Sequence, residues 1–99
     1  MPYHLYLNGQ IMPIDSACLA TNDLGLLRGY GMFDYFRTYN GAPFRWNDYW
    51  ARFENSARLL KLPLPLTQEE TAEVLSQLRT LSGEAEVAFR FVLTGGYAP

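Results

Sequence analysis

Apolar and polar residues alternate from the start of the chain. Tyr3, Leu5 and Leu7 interleave with His4 and Tyr6, Asn8-Gly9 interrupts them, and Gln10-Ile11-Met12 follows. A period of two marks a strand, and Asn-Gly is a preferred pair for a two-residue hairpin turn. The pattern predicts a hairpin over residues 3–13. A loop from Asp15-Ser16 follows, carrying a short strand at residues 17–19. Asn22-Asp23 predicts a cap for one helical turn over residues 24–27. Residues 30–39 form the longest strand candidate. Asn40-Gly41 signals a second hairpin, with residues 43–46 returning.

The period then changes. Tyr49, Trp50, Phe53, Ala57 and Leu60 recur three and four residues apart, which is the apolar stripe of a helix. Asn47 is the expected N-cap, with Asp48 in the first turn where the helix dipole favours negative charge. Pro63 and Pro65 stop this helix near Lys61. Thr67 and Glu70 have the spacing of a capping box for a second helix, with Val74, Leu75, Leu78 and Leu81 as its apolar face. Ser82-Gly83 closes it, and residues 85–94 read as a last strand. Strands, then two helices, then a strand predict an α+β fold: a small antiparallel sheet covered on one face by two helices. Residues 1–99 are expected to be one domain. TGGYAP reads as the opening of a loop, so the chain is expected to be the N-terminal piece of a longer protein.

Composition narrows the function classes. With 48% hydrophobic and 18% charged residues the chain is globular rather than disordered. A net charge of -2 gives no reason to expect nucleic acid or an anionic membrane as partner. No apolar run approaches the ~20 residues of a membrane span, and the N-terminus lacks the pattern of a signal peptide. The single cysteine, Cys18, excludes an internal disulfide framework and fits a reducing compartment. No cluster of cysteine and histidine suggests a metal. His4 reads as structural, and Gly95-Gly96 lacks the spacing of a nucleotide-binding loop.

Two arginines sit in apolar surroundings: Arg28 in LLRGYGMFDYFR and Arg90 in VAFRFVLTGG. An unpaired buried charge costs several kcal/mol. Each therefore reaches solvent, pairs with a carboxylate such as Asp34, or lines a cavity that receives an anion. The planar guanidinium fork suits a carboxylate, which it binds through two parallel hydrogen bonds. Arg52 lies on the first long helix. Asp48 offers it an (i, i+4) surface pair, and on the inner edge of the helix it would instead hold a phosphate. Tyr30 and Tyr35 read as core residues or as phenols beside a site. No general base stands out. From the residues alone, this is a small α+β domain with arginines in unusual settings.

Taken together, the motifs go further. Asp23, Gly25, Gly29, Gly31, Met32, Phe33 and Asp34, then Asn40-Gly41, then Arg52-Phe53 with Ser56-Ala57, then Leu62-Pro63 appear in this order. The series resembles the N-terminal domain of the fold type IV pyridoxal-phosphate enzymes, the class IV transaminases. That family includes D-amino acid transaminase, branched-chain transaminase and aminodeoxychorismate lyase. Its pattern runs as an Asn-Gly hairpin, D-x-G-x-x-x-G-x-G-[VM]-F-[ED], an aromatic strand, Asn-Gly, and a helix of the type H-x-x-R-[LF]-x-x-S-A.

The resemblance implies pyridoxal 5'-phosphate as cofactor, with Arg52 at the position that contacts its phosphate. It places Phe33 in the substrate pocket. Beside it Arg28 and Arg90, read from their own settings as carboxylate binders in place of the family's usual groups, and Tyr30 are expected to bind substrate. It implies that the lysine bonded to the cofactor lies in a larger C-terminal domain, since the one lysine here, Lys61, does not match; no catalytic residue is expected in this chain. It also implies a cytoplasmic homodimer acting on small amino and oxo acids, with pockets built from two subunits. Arg28-Gly29 replaces the family's usual aromatic-glycine pair, and Thr94-Gly95-Gly96 replaces the Thr-Arg-Gly of D-amino acid transaminases. Extra cationic contacts suit a dicarboxylate, which favours D-amino acid transamination on D-glutamate-like substrates with 2-oxoglutarate or pyruvate as acceptor. A branched-chain L-amino acid transaminase is the first alternative and an aminodeoxychorismate lyase the second. A cofactor-free binding module that kept the fold is the alternative outside enzymes.

Overall fold

Strand β1 (His4–Leu7) pairs antiparallel with β2 (Gln10–Pro13) in the computed structural model, which describes residues 3–98. Asn8 and Gly9 between them both have positive φ, 49° and 100°, as the type I′ turn demands. The device recurs at Asn40 (52°) and Gly41 (80°), which turn β3 (Gly31–Tyr39) into β4 (Ala42–Pro43). β4 is shorter than predicted because helix α2 (Trp46–Leu59) begins where the strand was expected to end. On its other side β3 pairs antiparallel with β5 (Ala88–Thr94), with Gly31 opposite Thr94 and Arg37 opposite Ala88. The result is two sheets rather than one: the β1–β2 hairpin, and a three-stranded sheet in the order β4-β3-β5.

Residues 17–19 form no strand; a 3-10 turn at Ile14–Ser16 precedes them and they find no pairing partner. β5 starts at Ala88, not 85. Glu86 Oε1 accepts from the Gly41 N–H at 2.7 Å, so the residues before β5 wrap the tip of the β3–β4 turn.

Helix α1 (Leu24–Arg28) has the expected cap, Asp23, whose Oδ1 accepts from the Gly25 N–H at 2.8 Å. α2 departs from expectation at its start. Its N-cap is Arg45, in the left-handed region, and no side chain caps it. Asn47 sits inside the first turn, where its Oδ1 accepts from Gln68 Nε2 at 2.7 Å and ties α2 to the start of α3 (Gln68–Ser82). At the other end Lys61 N donates to Arg58 O and Leu62 N to Ala57 O, the paired bonds of a Schellman turn. Lys61 itself has φ 59°. The α3 capping box forms in both directions, Glu70 N to Thr67 Oγ1 and Thr67 N to Glu70 Oε1.

The described residues form two layers, 41 × 32 × 18 Å. The core lies between the helices and one face of the three-stranded sheet, where Phe36 meets Tyr49, Trp50, Phe53 and Leu75, with Phe89, Phe91 and Leu93 beside them. The Phe36 and Tyr49 rings are 4.2 Å apart. Leu81, predicted for the apolar face of α3, is exposed because the last turn of that helix carries it away from this cluster. Among the described residues, no helix is long and apolar enough to cross a membrane, and no three His, Cys, Asp or Glu gather as a metal site.

Candidate functional site

Alternation along β3 and β5 gives the sheet two unlike faces. Asp34, Phe36, Phe89 and Phe91 belong to the helix-covered set, while Phe33, Tyr35, Arg37, Arg90 and Val92 are exposed. Strand register sets Phe33 opposite Val92 and Tyr35 opposite Arg90. Phe33 is 73% exposed and Val92 66%. Apolar side chains this open, packed side by side with a cation among them, mark a surface built to meet something.

Arg52 projects from α2 toward β3. Its Nη2 lies 3.3 and 3.4 Å from the two carboxylate oxygens of Asp34, and its guanidinium carbon sits 5.2 Å from the centre of the Tyr49 ring. The expected partner, Asp48, is taken by Arg45, whose Nη2 is 2.8 Å from Asp48 Oδ2. Arg45 precedes Asp48 by less than one helical turn, which leaves Arg52 to reach across to the strand. Nε and Nη1 of Arg52 have no partner among the described residues, so their N–H groups are free to donate to an anion. Tyr49 stands beneath. Its hydroxyl is buried without a hydrogen-bond partner among the described residues, and burial first, then the Asp34 charge, push its pKa well above 10, with Arg52 partly opposing. Arg52 borders a hollow of about 490 Å³ that Tyr35, Arg37, Arg45 and Phe44 also line.

The α1–β3 joint explains the glycine spacing noted in the sequence. Asp23 is buried; besides capping α1, its Oδ2 accepts from Thr94 Oγ1 at 3.1 Å, fastening α1 to the end of β5. A Cβ on Gly25 would fall 2.5 Å from Thr94 Cγ2, so no larger residue fits. Gly29 takes φ 63° and ends α1 by returning its N–H to Leu24 O. Arg28 is the last residue of α1 and is exposed. Tyr30 lies against Gly95, and its hydroxyl donates to Leu60 O at 2.6 Å, so that phenol ties the joint to the end of α2.

The residues singled out from sequence therefore do not converge in one hollow within this chain. Phe33 and Arg90 share the open sheet face. Arg52 stands at the α2–β3 side, and Arg28 and Tyr30 at the α1 joint. A second hollow of about 290 Å³ lies between β1, α3 and β5, with Arg90 among its lining residues. Among the described residues Arg28, Arg37 and Arg90 form no ion pair. Sequence reading missed Arg37, which was legible: it stands in the same alternation phase as Phe33 and Tyr35. It also missed the Asp34–Arg52 pair, which joins residues 18 apart on different elements and leaves no local signal.

A family model for amino-transferase class IV matches residues 31–99. The chain is 33% identical over 92 residues to a putative branched-chain-amino-acid aminotransferase of Methanocaldococcus jannaschii, covering 93% of this chain and 32% of that protein. It is 28% identical over 95 residues to a D-alanine aminotransferase of Staphylococcus haemolyticus, covering 96% of this chain and 34% of that protein. In three dimensions it matches the T.th. branched-chain amino acid aminotransferase complexed with N-(5'-phosphopyridoxyl)-L-glutamate. That match has a TM-score of 0.86 at 25% identity and covers 98% of this chain and 34% of that one. The chain thus spans about a third of the length of the proteins it matches.

Proposed function

The chain belongs to the class IV aminotransferases, and on that premise we propose that it is the N-terminal domain of a pyridoxal 5'-phosphate-dependent transaminase. The family match across residues 31–99 carries this reading. The cofactor fits the residues present: Arg52, on helix α2, offers the free N–H donors of Nε and Nη1 to its phosphate. When bound, pyridoxal phosphate supplies the electron sink for the substrate's α-carbon. This chain's residues bind and orient. Phe33 and Val92 form an apolar wall on the open face, and Arg90 takes a carboxylate. Lys61 is fixed in the turn that ends α2, so the lysine that bonds the cofactor comes from the rest of the protein. A larger C-terminal domain covers the open sheet face, and the complete enzyme is a cytoplasmic homodimer whose Arg28 serves the neighbouring subunit's pocket.

Within this class the substrate is a D-amino acid of the D-glutamate type, with 2-oxoglutarate or pyruvate as acceptor. Arg90, a cation with no ion pair among the described residues beside the apolar and aromatic side chains of Phe33, Tyr35 and Val92, supports it. A branched-chain L-amino acid is the second reading, favoured by the Phe33–Val92 wall. Half-reactions of the complete enzyme with D-glutamate and with L-leucine, followed by the cofactor's absorbance, separate the two. Replacing Arg90 by Ala should raise KM for D-glutamate and 2-oxoglutarate roughly 10- to 100-fold, the loss of one charge-assisted contact. KM for pyruvate should barely change. Unchanged constants for the dicarboxylates would remove Arg90 from the site.

A further inference from the structure

We infer that Asp34 is a positioning residue: it fixes the guanidinium of Arg52 so that its remaining N–H donors, on Nε and Nη1, face the cofactor phosphate. The inference rests on the reading that Arg52 contacts that phosphate, and it concerns how that contact is built. Three observations carry it. Both oxygens of Asp34 engage a single nitrogen, Nη2, at 3.3 and 3.4 Å, so the pair consumes one corner of the fork and leaves Nε and Nη1 open. The Tyr49 ring, 5.2 Å from the guanidinium carbon, holds the group from a second direction. The two supports are less exposed than the group they hold. The Asp34 side chain is only 26% exposed and stands on the central strand of the sheet, whereas the Arg52 side chain is 63% exposed. A long, open arginine has many rotamers, and fixing one in advance lowers the entropy lost on binding.

Charge and positioning pull in opposite directions here. Asp34 is an anion close to where a phosphate dianion would bind. If it acted through charge alone, its removal would tighten binding by relieving repulsion. If it positions Arg52, its removal loosens binding even though a negative charge has gone.

The test compares dissociation constants of the complete protein for pyridoxal 5'-phosphate and for pyridoxal, which lacks the phosphate, by absorbance or fluorescence titration. Asp34→Asn should weaken pyridoxal 5'-phosphate roughly three- to thirtyfold, the range for residues coupled in one network. Affinity for pyridoxal should be unchanged, and Asp34→Glu, which restores the carboxylate, should recover much of the loss. An Arg52→Ala protein tells the two levels apart. If Arg52→Ala weakens pyridoxal 5'-phosphate selectively and Asp34→Asn leaves it equal or tighter, the positioning role is refuted while the phosphate contact stands. If Arg52→Ala leaves the preference for the phosphorylated form intact, the contact itself is wrong. If Asp34→Asn weakens both ligands alike, Asp34 serves the fold and not the guanidinium, which also refutes the inference.

Discussion

Thr94 has a hydroxyl that donates to buried Asp23 and a methyl that leaves no room for a side chain at position 25. The two halves of one residue thus impose two features of the sequence, an acid at 23 and a glycine at 25. Gly25→Ala should therefore cost about 1–3 kcal/mol, the usual penalty of overpacking a fitted site. The closest clash is with Cγ2. Thr94→Ser in the same protein deletes that methyl, keeps the hydroxyl on Asp23, and should restore most of the loss. Urea denaturation of the three proteins checks it; a double variant no more stable than Gly25→Ala would mean the contact is not the cause.

Among the elements, α2 ends in a geometry that its sequence fills poorly. The Schellman turn needs a left-handed residue, glycine is the usual choice, and here Lys61 adopts φ 59°. Replacing Lys61 by Gly should raise stability by about 1 kcal/mol, since a Cβ in the left-handed region costs roughly that much. In the complete protein the same variant should keep the proposed transaminase activity, because Lys61 belongs to a turn and not to the chemistry. A thermal melt and a turnover assay answer both parts, and loss of activity in a well-folded variant would move the cofactor-bonding lysine into this chain. The capping box of α3, the Asp23 cap of α1 and both Asn-Gly turns were legible in the sequence because each is a local solution. The backbone groups left unpaired at an element's end, or the positive φ of a tight turn, are met by residues within a few positions. The start of α2 was not legible. Asn47 is a good capping residue by type, but its side-chain oxygen is claimed by Gln68, 21 positions away.

At the scale of the whole molecule, one buried core group makes the stability of the fold depend on alkaline pH. The Tyr49 hydroxyl is held protonated well past its ordinary 10.0, chiefly by burial. In the unfolded chain it ionises near that ordinary value. The fold therefore binds the proton more tightly, its contribution is constant below about pH 10, and stability falls as pH rises above it. Tyr49→Phe should make that alkaline fall shallower. It should cost less than about 1 kcal/mol at neutral pH, because no hydrogen bond within the described residues is lost. Denaturation curves from neutral pH to about one unit above the ordinary tyrosine value measure both, and parallel pH profiles for the two proteins would contradict the burial of that phenol.

By itself the sequence determined the type and order of nearly every element, the α+β class, the aromatic stripe of α2 and the family pattern. Each of these is written in short-range spacing: alternation, helical period, turn pairs and caps. Only the tertiary structure decided that the strands divide into two sheets. It alone gave Asp34 to Arg52 and Asp48 to Arg45, and kept Arg28, Arg52 and Arg90 apart within this chain. The reason is physical. A cap or a turn is satisfied by neighbours along the chain, whereas a guanidinium pairs with whatever carboxylate the packing of strand and helix brings within about 4 Å.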